Sequence, residues 1–225
     1  MLNNPKLRNY VISIGCNYNG SLSGCVNDSI AMYNTFYKLN NVKNYILNDE
    51  DEVVTTEKIK DIVKKIHNSP QTEDYRIIFT FAGHGHTGGK IQLSSEIIDY
   101  KTLYEILNYE SKRLFNLLII LDSCYSGGFI NLKTYKNISD ITVITSCSSS
   151  QKSAESMSDK LRNYKGILDF KSINDCFYIG VFTYNFTSIV DNLIDTFKEL
   201  TIENIFRNDI WNLISEIANQ SYQIK

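Results

Sequence analysis

The chain is poor in proline, with two among 225 residues, and holds one tryptophan, three methionines and three histidines. So little proline excludes a polyproline linker or a proline-rich recognition segment. No stretch of about 18 apolar residues exists, which excludes a transmembrane helix. The first ten residues, MLNNPKLRNY, lack an apolar core, so no secretory signal is expected. The five cysteines, Cys16, Cys25, Cys124, Cys147 and Cys176, are odd in number and form no C-x-x-C pair. Neither a disulfide framework nor a zinc ribbon fits that count, and free thiols in a cytoplasmic chain are the economical reading. Charge of one sign is missing too. The formal net charge is −2, and Lys43, Lys58 and Lys64 are scattered rather than blocked. A nucleic-acid surface or an anionic-membrane surface is therefore not expected.

What is present is core-forming material, at 43% hydrophobic residues, enough for one large domain. Short β-branched or apolar runs stand at 9–15, 43–47, 75–85, 115–122 and 141–147. Between them lie segments of helical period. Val26, Ile30, Tyr33 and Tyr37 share one helix face, with Asn27 or Asp28 as the expected N-cap. Ile59, Ile62, Val63 and Ile66 share another. Tyr100, Leu103, Tyr104 and Leu107 share a third, with Asp99 as N-cap. Residues 148–179 have no clear period and read as a long loop. The stretches GVFTYNFTSIVDNLI and TIENIFRNDIWNLISEIA read as two closing helices. Continuous apolar strands alternating with helices predict an α/β fold with a parallel sheet covered on both faces. No internal repeat or second domain is evident.

In such a sheet, chemistry gathers at the carboxyl ends of the strands. Three strands end in reactive or permissive residues: Cys16-Asn17, Gly83-His84-Gly85 and Asp122-Ser123-Cys124. A thiol is a weak nucleophile at its free pKa of about 8.5, and an adjacent imidazole can take its proton. Neighbouring strand ends would bring His84 and Cys124 together. The amides of Gly85 and Cys124 would then face a developing oxyanion. A phosphatase loop needs an arginine six residues after its cysteine, where this chain has Ile130. The Gly88-Gly89-Lys90 run lacks the flanking residues of a phosphate-binding loop. His84 and His86 have no cysteine pair nearby, so no metal ligand set is assigned.

The segments YVISIGCNYNGSLSGCVNDS, IIFTFAGHG, LDSCYSGG and GVFTYNF, in that order, resemble the caspase-like cysteine peptidases, and the metacaspases most closely. The resemblance runs from about residue 9 to about residue 195. It does not include the Gln-Ala-Cys signature of true caspases. It implies a caspase–hemoglobinase fold, a three-layer α-β-α sandwich around a mostly parallel sheet. That would be one domain, with a large-subunit-like part over about 1–135 and a small-subunit-like part over about 140–225. It also implies peptide-bond hydrolysis, with Cys124 as nucleophile and His84 as general base and acid. Cys25, Asp28 and Asp122 match residues lining the substrate (S1) pocket. Ala82 stands where metacaspases usually carry serine. Two carboxylates beside the nucleophile attract a cationic side chain and repel an acidic one, so cleavage after Arg or Lys is expected. The expected partners are protein or peptide substrates, the expected state is a monomer, and no cofactor is expected. Metacaspases often bind calcium through an acidic cluster. Here only Glu96 and Asp99 lie between His84 and Tyr100, and Asn131 replaces an expected Asp, so a typical calcium site is not expected. Residues 125–128 are expected to begin a loop that moves aside for substrate. The lysines and arginine of 131–171, namely Lys133, Lys136, Lys152, Lys160, Arg162, Lys165 and Lys171, are candidate points of self-cleavage. The alternative is a non-catalytic caspase-like module that binds other proteins.

Overall fold

A computed structural model describes residues 7–70, 74–129, 136–196 and residue 205. The central sheet forms from the continuous apolar runs. Strand β1 (Arg8–Gly15) leads to helix α1 (Cys25–Tyr37), strand β2 (Val42–Asn48) and helix α2 (Thr56–His67). Strand β3 (Tyr75–Ala82) follows, then three short strands, β4 (Gly85–His86), β5 (Lys90–Gln92) and β6 (Ile97–Asp99). Helix α3 (Tyr100–Leu107) leads to β7 (Phe115–Asp122) and β8 (Ile138–Thr145). Strands β9 (Glu155–Met157) and β10 (Tyr178–Gly180) precede helix α4 (Val181–Thr196).

The main sheet has the order β2-β1-β3-β7-β8, and every pairing in it is parallel. Its two faces follow from side-chain alternation. Tyr10, Ile12, Ile14, Ile77, Phe79, Leu117 and Ile119 pack against Ile59, Ile62, Val63 and Ile66 of α2 and Leu103 and Leu107 of α3. Val11, Ile78, Leu118 and Ile120 pack on the opposite face, against Met32 and Phe36 of α1 and Phe182, Phe186 and Val190 of α4. The result is the expected α-β-α sandwich.

The strand order reverses at β1. From β1 the chain crosses to β2 on one side, then returns to place β3 on the other. A crevice opens at such a switch point, outside the carboxyl ends. Register makes those ends level, because Gly15 pairs with Ala82 and Ala82 with Asp122.

Three local expectations need correction. The N-cap of α1 is Gly24, and Asn27 and Asp28 lie inside the helix, buried. Tyr37 is 53% exposed rather than part of the buried face, because α1 is instead covered by residues 168–180 on its far side. The stretch 148–179 is not an unstructured loop. It holds β9, a 3-10 turn at Asp159–Asn163 and β10, which pairs antiparallel with β9. Strands of three residues are too short to carry a readable period. Residues Ser126–Phe129 form a 3-10 turn. Tyr125 N–H donates to the Gln151 carbonyl at 2.8 Å and Gly127 N–H to the Cys147 carbonyl at 3.0 Å. The expected helix in TIENIFRNDIWNLISEIA, and Asn131 and Lys133, lie outside the described residues, Ile205 apart.

Candidate active site

The site begins with two neighbouring strands. Beyond Ala82 the chain runs through Gly83 to His84, and beyond Asp122 through Ser123 to Cys124. Gly83 N–H donates to the Asp122 carbonyl at 3.3 Å, which keeps the two extensions side by side. A side chain at Gly85 is excluded: a Cβ there would stand 1.8 Å from the Cys124 carbonyl oxygen. Tyr125, directly after the cysteine, has a φ of +58°, a left-handed conformation uncommon for a bulky residue. The chain therefore turns sharply away from β7 and leaves Cys124 at the lip of the sheet.

His84 and Cys124 line one cleft of about 380 Å³, with Leu22, Cys25, Asp28, Gly83, Asp122, Ser123, Ser153, Ala154, Glu155 and Gly180. The imidazole Nε2 of His84 is 2.8 Å from Ser21 Oγ, and its ring stacks on Tyr18. Burial and the neighbouring His86 hold its pKa below the ordinary histidine value. The Cys124 thiol, half-buried, points toward the Ser153 carbonyl at 4.0 Å. The other thiols near the first strand are poor nucleophiles. Burial, reinforced by Asp49, pushes Cys16 up to about 12, and burial with nearby carboxylates drives Cys25 well up.

At the inner end of the cleft stand two carboxylates that are almost fully buried, Asp28 at 3% exposure and Asp122 at 7%. Asp122 is heavily solvated by protein. Ser153 Oγ donates to its Oδ1 at 2.5 Å, and Thr183 N–H and Oγ1–H donate to Oδ2 at 3.2 and 2.8 Å. Asp28 Oδ1 accepts from the Gly180 N–H at 2.7 Å. Gly180 must lack a side chain, since a Cβ would fall 2.2 Å from Asp122 Oδ2. Burial raises both acids above the ordinary aspartate value, Asp28 well above it, and the charge of Asp122 raises Asp28 further.

Glu155 adds a third carboxylate at the mouth. It accepts from Ser23 N–H at 3.0 Å and from Gly24 N–H, at the start of α1, where the helix dipole favours an anion. Ala82 lies behind the pair. It lines a separate small cavity with Asp28, Asp122, Ser29 and Thr183 rather than the cleft itself. Of the expected residues, Cys124, His84, Asp28, Asp122 and Cys25 line one cleft, and Gly85 lies against the Cys124 carbonyl. Tyr18, Ser21, Ser153, Glu155, Gly180 and Thr183 were not among the expected residues.

The two acids after His84 each accept from a backbone N–H. Asp99 caps α3 through the Thr102 N–H at 2.8 Å, and Glu96 accepts from the Thr56 N–H at 3.4 Å. Among the described residues no group of three or more His, Cys, Asp or Glu is arranged to hold a metal ion. Among them, too, no helix is long and apolar enough to cross a membrane.

A half-buried thiol and an imidazole just beyond the carboxyl ends of two adjacent parallel strands are the kind of arrangement that cysteine hydrolases use. The caspase domain model matches residues 8–204, and the chain belongs to that family of cysteine-type peptidases. No curated protein matches the chain.

Proposed function

We propose that the protein is a cysteine endopeptidase of metacaspase type that cuts peptide bonds after Arg or Lys. The observation that carries this reading is the buried Asp28–Asp122 pair at the inner end of the cleft that Cys124 and His84 also line. A guanidinium or ammonium entering there meets two carboxylates whose ionisation is otherwise suppressed by burial and mutual repulsion. Its charge relieves both terms, whereas an aspartate side chain would add a third negative charge.

Cys124 Sγ attacks the carbonyl carbon of that basic residue while His84 takes the thiol proton. The amides of Gly85 and Cys124 receive the oxyanion. His84 then gives the proton to the departing amine, leaving a thioester on Cys124. His84 next draws a proton from water, and the resulting attack releases the acid. Fluorogenic peptides ending in Arg, Lys or Asp test this directly. Turnover of the Arg or Lys peptides is expected, with none of the Asp peptide. Preference for Asp would overturn the pocket assignment.

The second reading is a non-catalytic caspase-like interaction module. The observation in its favour is that Ser21 engages His84 Nε2 while Cys124 faces the Ser153 carbonyl. Absence of turnover on every basic peptide tried, by a folded protein, would favour it.

A further inference from the structure

Resting on the proposed Cys124–His84 chemistry, we infer that Tyr18 is the positioning residue for His84: it holds the imidazole from below by its ring and fixes the backbone behind it by its hydroxyl. The two rings stack at a centroid separation of 4.5 Å and an interplanar angle of 19°. The Tyr18 hydroxyl is 2.8 Å from the His84 N–H, from which it accepts, and it donates to the Gln92 carbonyl at 2.5 Å. The Gln92 N–H returns to the His84 carbonyl at 3.0 Å. The phenol thus bridges the strand end that carries His84 and strand β5, and closes a ring of hydrogen bonds around that residue.

The placement of Tyr18 is itself enforced. Its φ is +52°, a left-handed conformation that a tyrosine adopts only when its surroundings dictate it. Asp49 supplies the constraint: its carboxylate accepts from the Asn17 N–H at 2.8 Å and the Tyr18 N–H at 2.7 Å. Three residues on, Ser21 Oγ meets His84 Nε2 at 2.8 Å. If Ser21 fixes Nε2, then Nδ1 is the nitrogen left for the thiol proton. One loop after β1 therefore sets both the plane of the imidazole and which of its nitrogens is free. A base held by a third group is the general requirement for thiol activation, and here the holder is an aromatic face plus a hydroxyl.

The test uses Tyr18→Phe and Tyr18→Leu, each in the active chain and in a Cys124→Ala background. In the Cys124→Ala background, NMR of the His84 ring protons needs no activity, and His84→Asn assigns the signals. With Tyr18 or Phe present the signals sit upfield through ring stacking, and titration stays below the ordinary histidine value. With Leu the signals move downfield and titration rises. In the active chain, Tyr18→Leu is expected to lower kcat about a hundredfold with KM within about twofold. Tyr18→Phe keeps the stacking and restores most of that loss. Thermal melting checks folding, and should Leu unfold, His84 ring signals at ordinary positions in the folded chains with Tyr18 or with Tyr18→Phe would overturn the stacking. Ring signals and pH profile unchanged in Tyr18→Leu, or a loss confined to KM, would overturn the inference. If the wild type cleaves nothing while the ring signals still move, the positioning stands and the peptidase reading falls.

Discussion

The two halves of the site are held by different forces. One half grows from β1, β3 and β7, whose residues are almost all fully buried and locked by parallel ladders. It supplies His84, Cys124 and Asp122. The other half is the polar segment from Ser153 to Gly180, which closes over α1 by side-chain hydrogen bonds. Asn27 makes three of them, to the Lys171 carbonyl (2.9 Å), the Tyr178 carbonyl (2.8 Å) and the Lys171 N–H (2.8 Å). Asn34 brackets Leu168 with two more, both 2.9 Å. Lys171 adds an ion pair to Asp51 at 2.7 Å. On the proposed reading the reacting groups stand on the rigid half, and the substrate pocket is completed by the half held by side-chain hydrogen bonds, where local opening is cheapest.

That contrast can be broken first on the rigid side. Cys124→Ala or His84→Ala is expected to lower turnover by about a thousandfold or more, with an unchanged melting temperature. A Cys124→Ala protein with normal kcat would remove the dyad from the mechanism.

Next in size are the carboxylates that join the halves. Asp122→Ala or Asp28→Ala should cost about 2–5 kcal/mol of transition-state binding for Arg and Lys peptides. The measurement is kcat/KM across the peptide series, and indifference to both substitutions would sink the pocket.

The same pair makes stability depend on pH. Both acids have folded-state pKa values raised above their unfolded ones, so the folded protein binds more protons. Their contribution is therefore complete below about pH 4 and is lost as pH rises toward the folded values. Melting temperature measured from pH 4 upward should fall less steeply in Asp28→Asn than in the wild type. An identical slope would show that Asp28 ionises freely.

On the softer side, Asn27→Ala removes the clasp on residues 171 and 178. A loss of about 1–3 kcal/mol in denaturant unfolding is expected, with faster nicking of 148–177 by added protease. Lys152, Lys160 and Lys165 lie in this segment, whereas Arg162 donates to the Asp175 carbonyl at 2.7 Å and Lys171 is held by Asn27, Glu50 and Asp51. Self-cleavage, followed by fragment mass, should therefore favour the first three and vanish in Cys124→Ala. Smallest of all is the expected effect of calcium: activity in EGTA and in millimolar Ca²⁺ should agree within about twofold, given how Glu96 and Asp99 are engaged.

The rigid half was readable in the sequence because parallel strands buried on both faces are continuous apolar runs. Their ends are marked where the run meets Gly15, Ala82-Gly83 and Asp122. Asp99 capping and the apolar stripe of α2 were readable for the same local reason. What escaped depends on distance along the chain. Ser153 and Thr183 reach Asp122 across 31 and 61 residues, Glu155 reaches Gly24 across 131, and Ser21 reaches His84 across 63. No local pattern announces such a contact. The misplaced α1 cap has the opposite cause. Asn27 and Asp28 suit a cap by type, but partners far along the chain, Lys171, Tyr178 and Gly180, claim their side chains.

The level register of Gly15, Ala82 and Asp122 also sets what kind of genetic change the protein tolerates. A substitution within 115–121 alters one contact in the core. An inserted codon there shifts everything after it by one strand position, about 3.3 Å, and turns alternate side chains to the opposite face. Asp122 would then face the layer of α2 and α3, and Cys124 would overshoot His84, although every residue of the site was still encoded. Between β8 and β9 the chain has no ladder to slip, so an extra codon at 148–152 disturbs the Gln151 and Ser153 contacts but leaves the register of β7 in place. Length, more than identity, is the property of β7 on which this site depends.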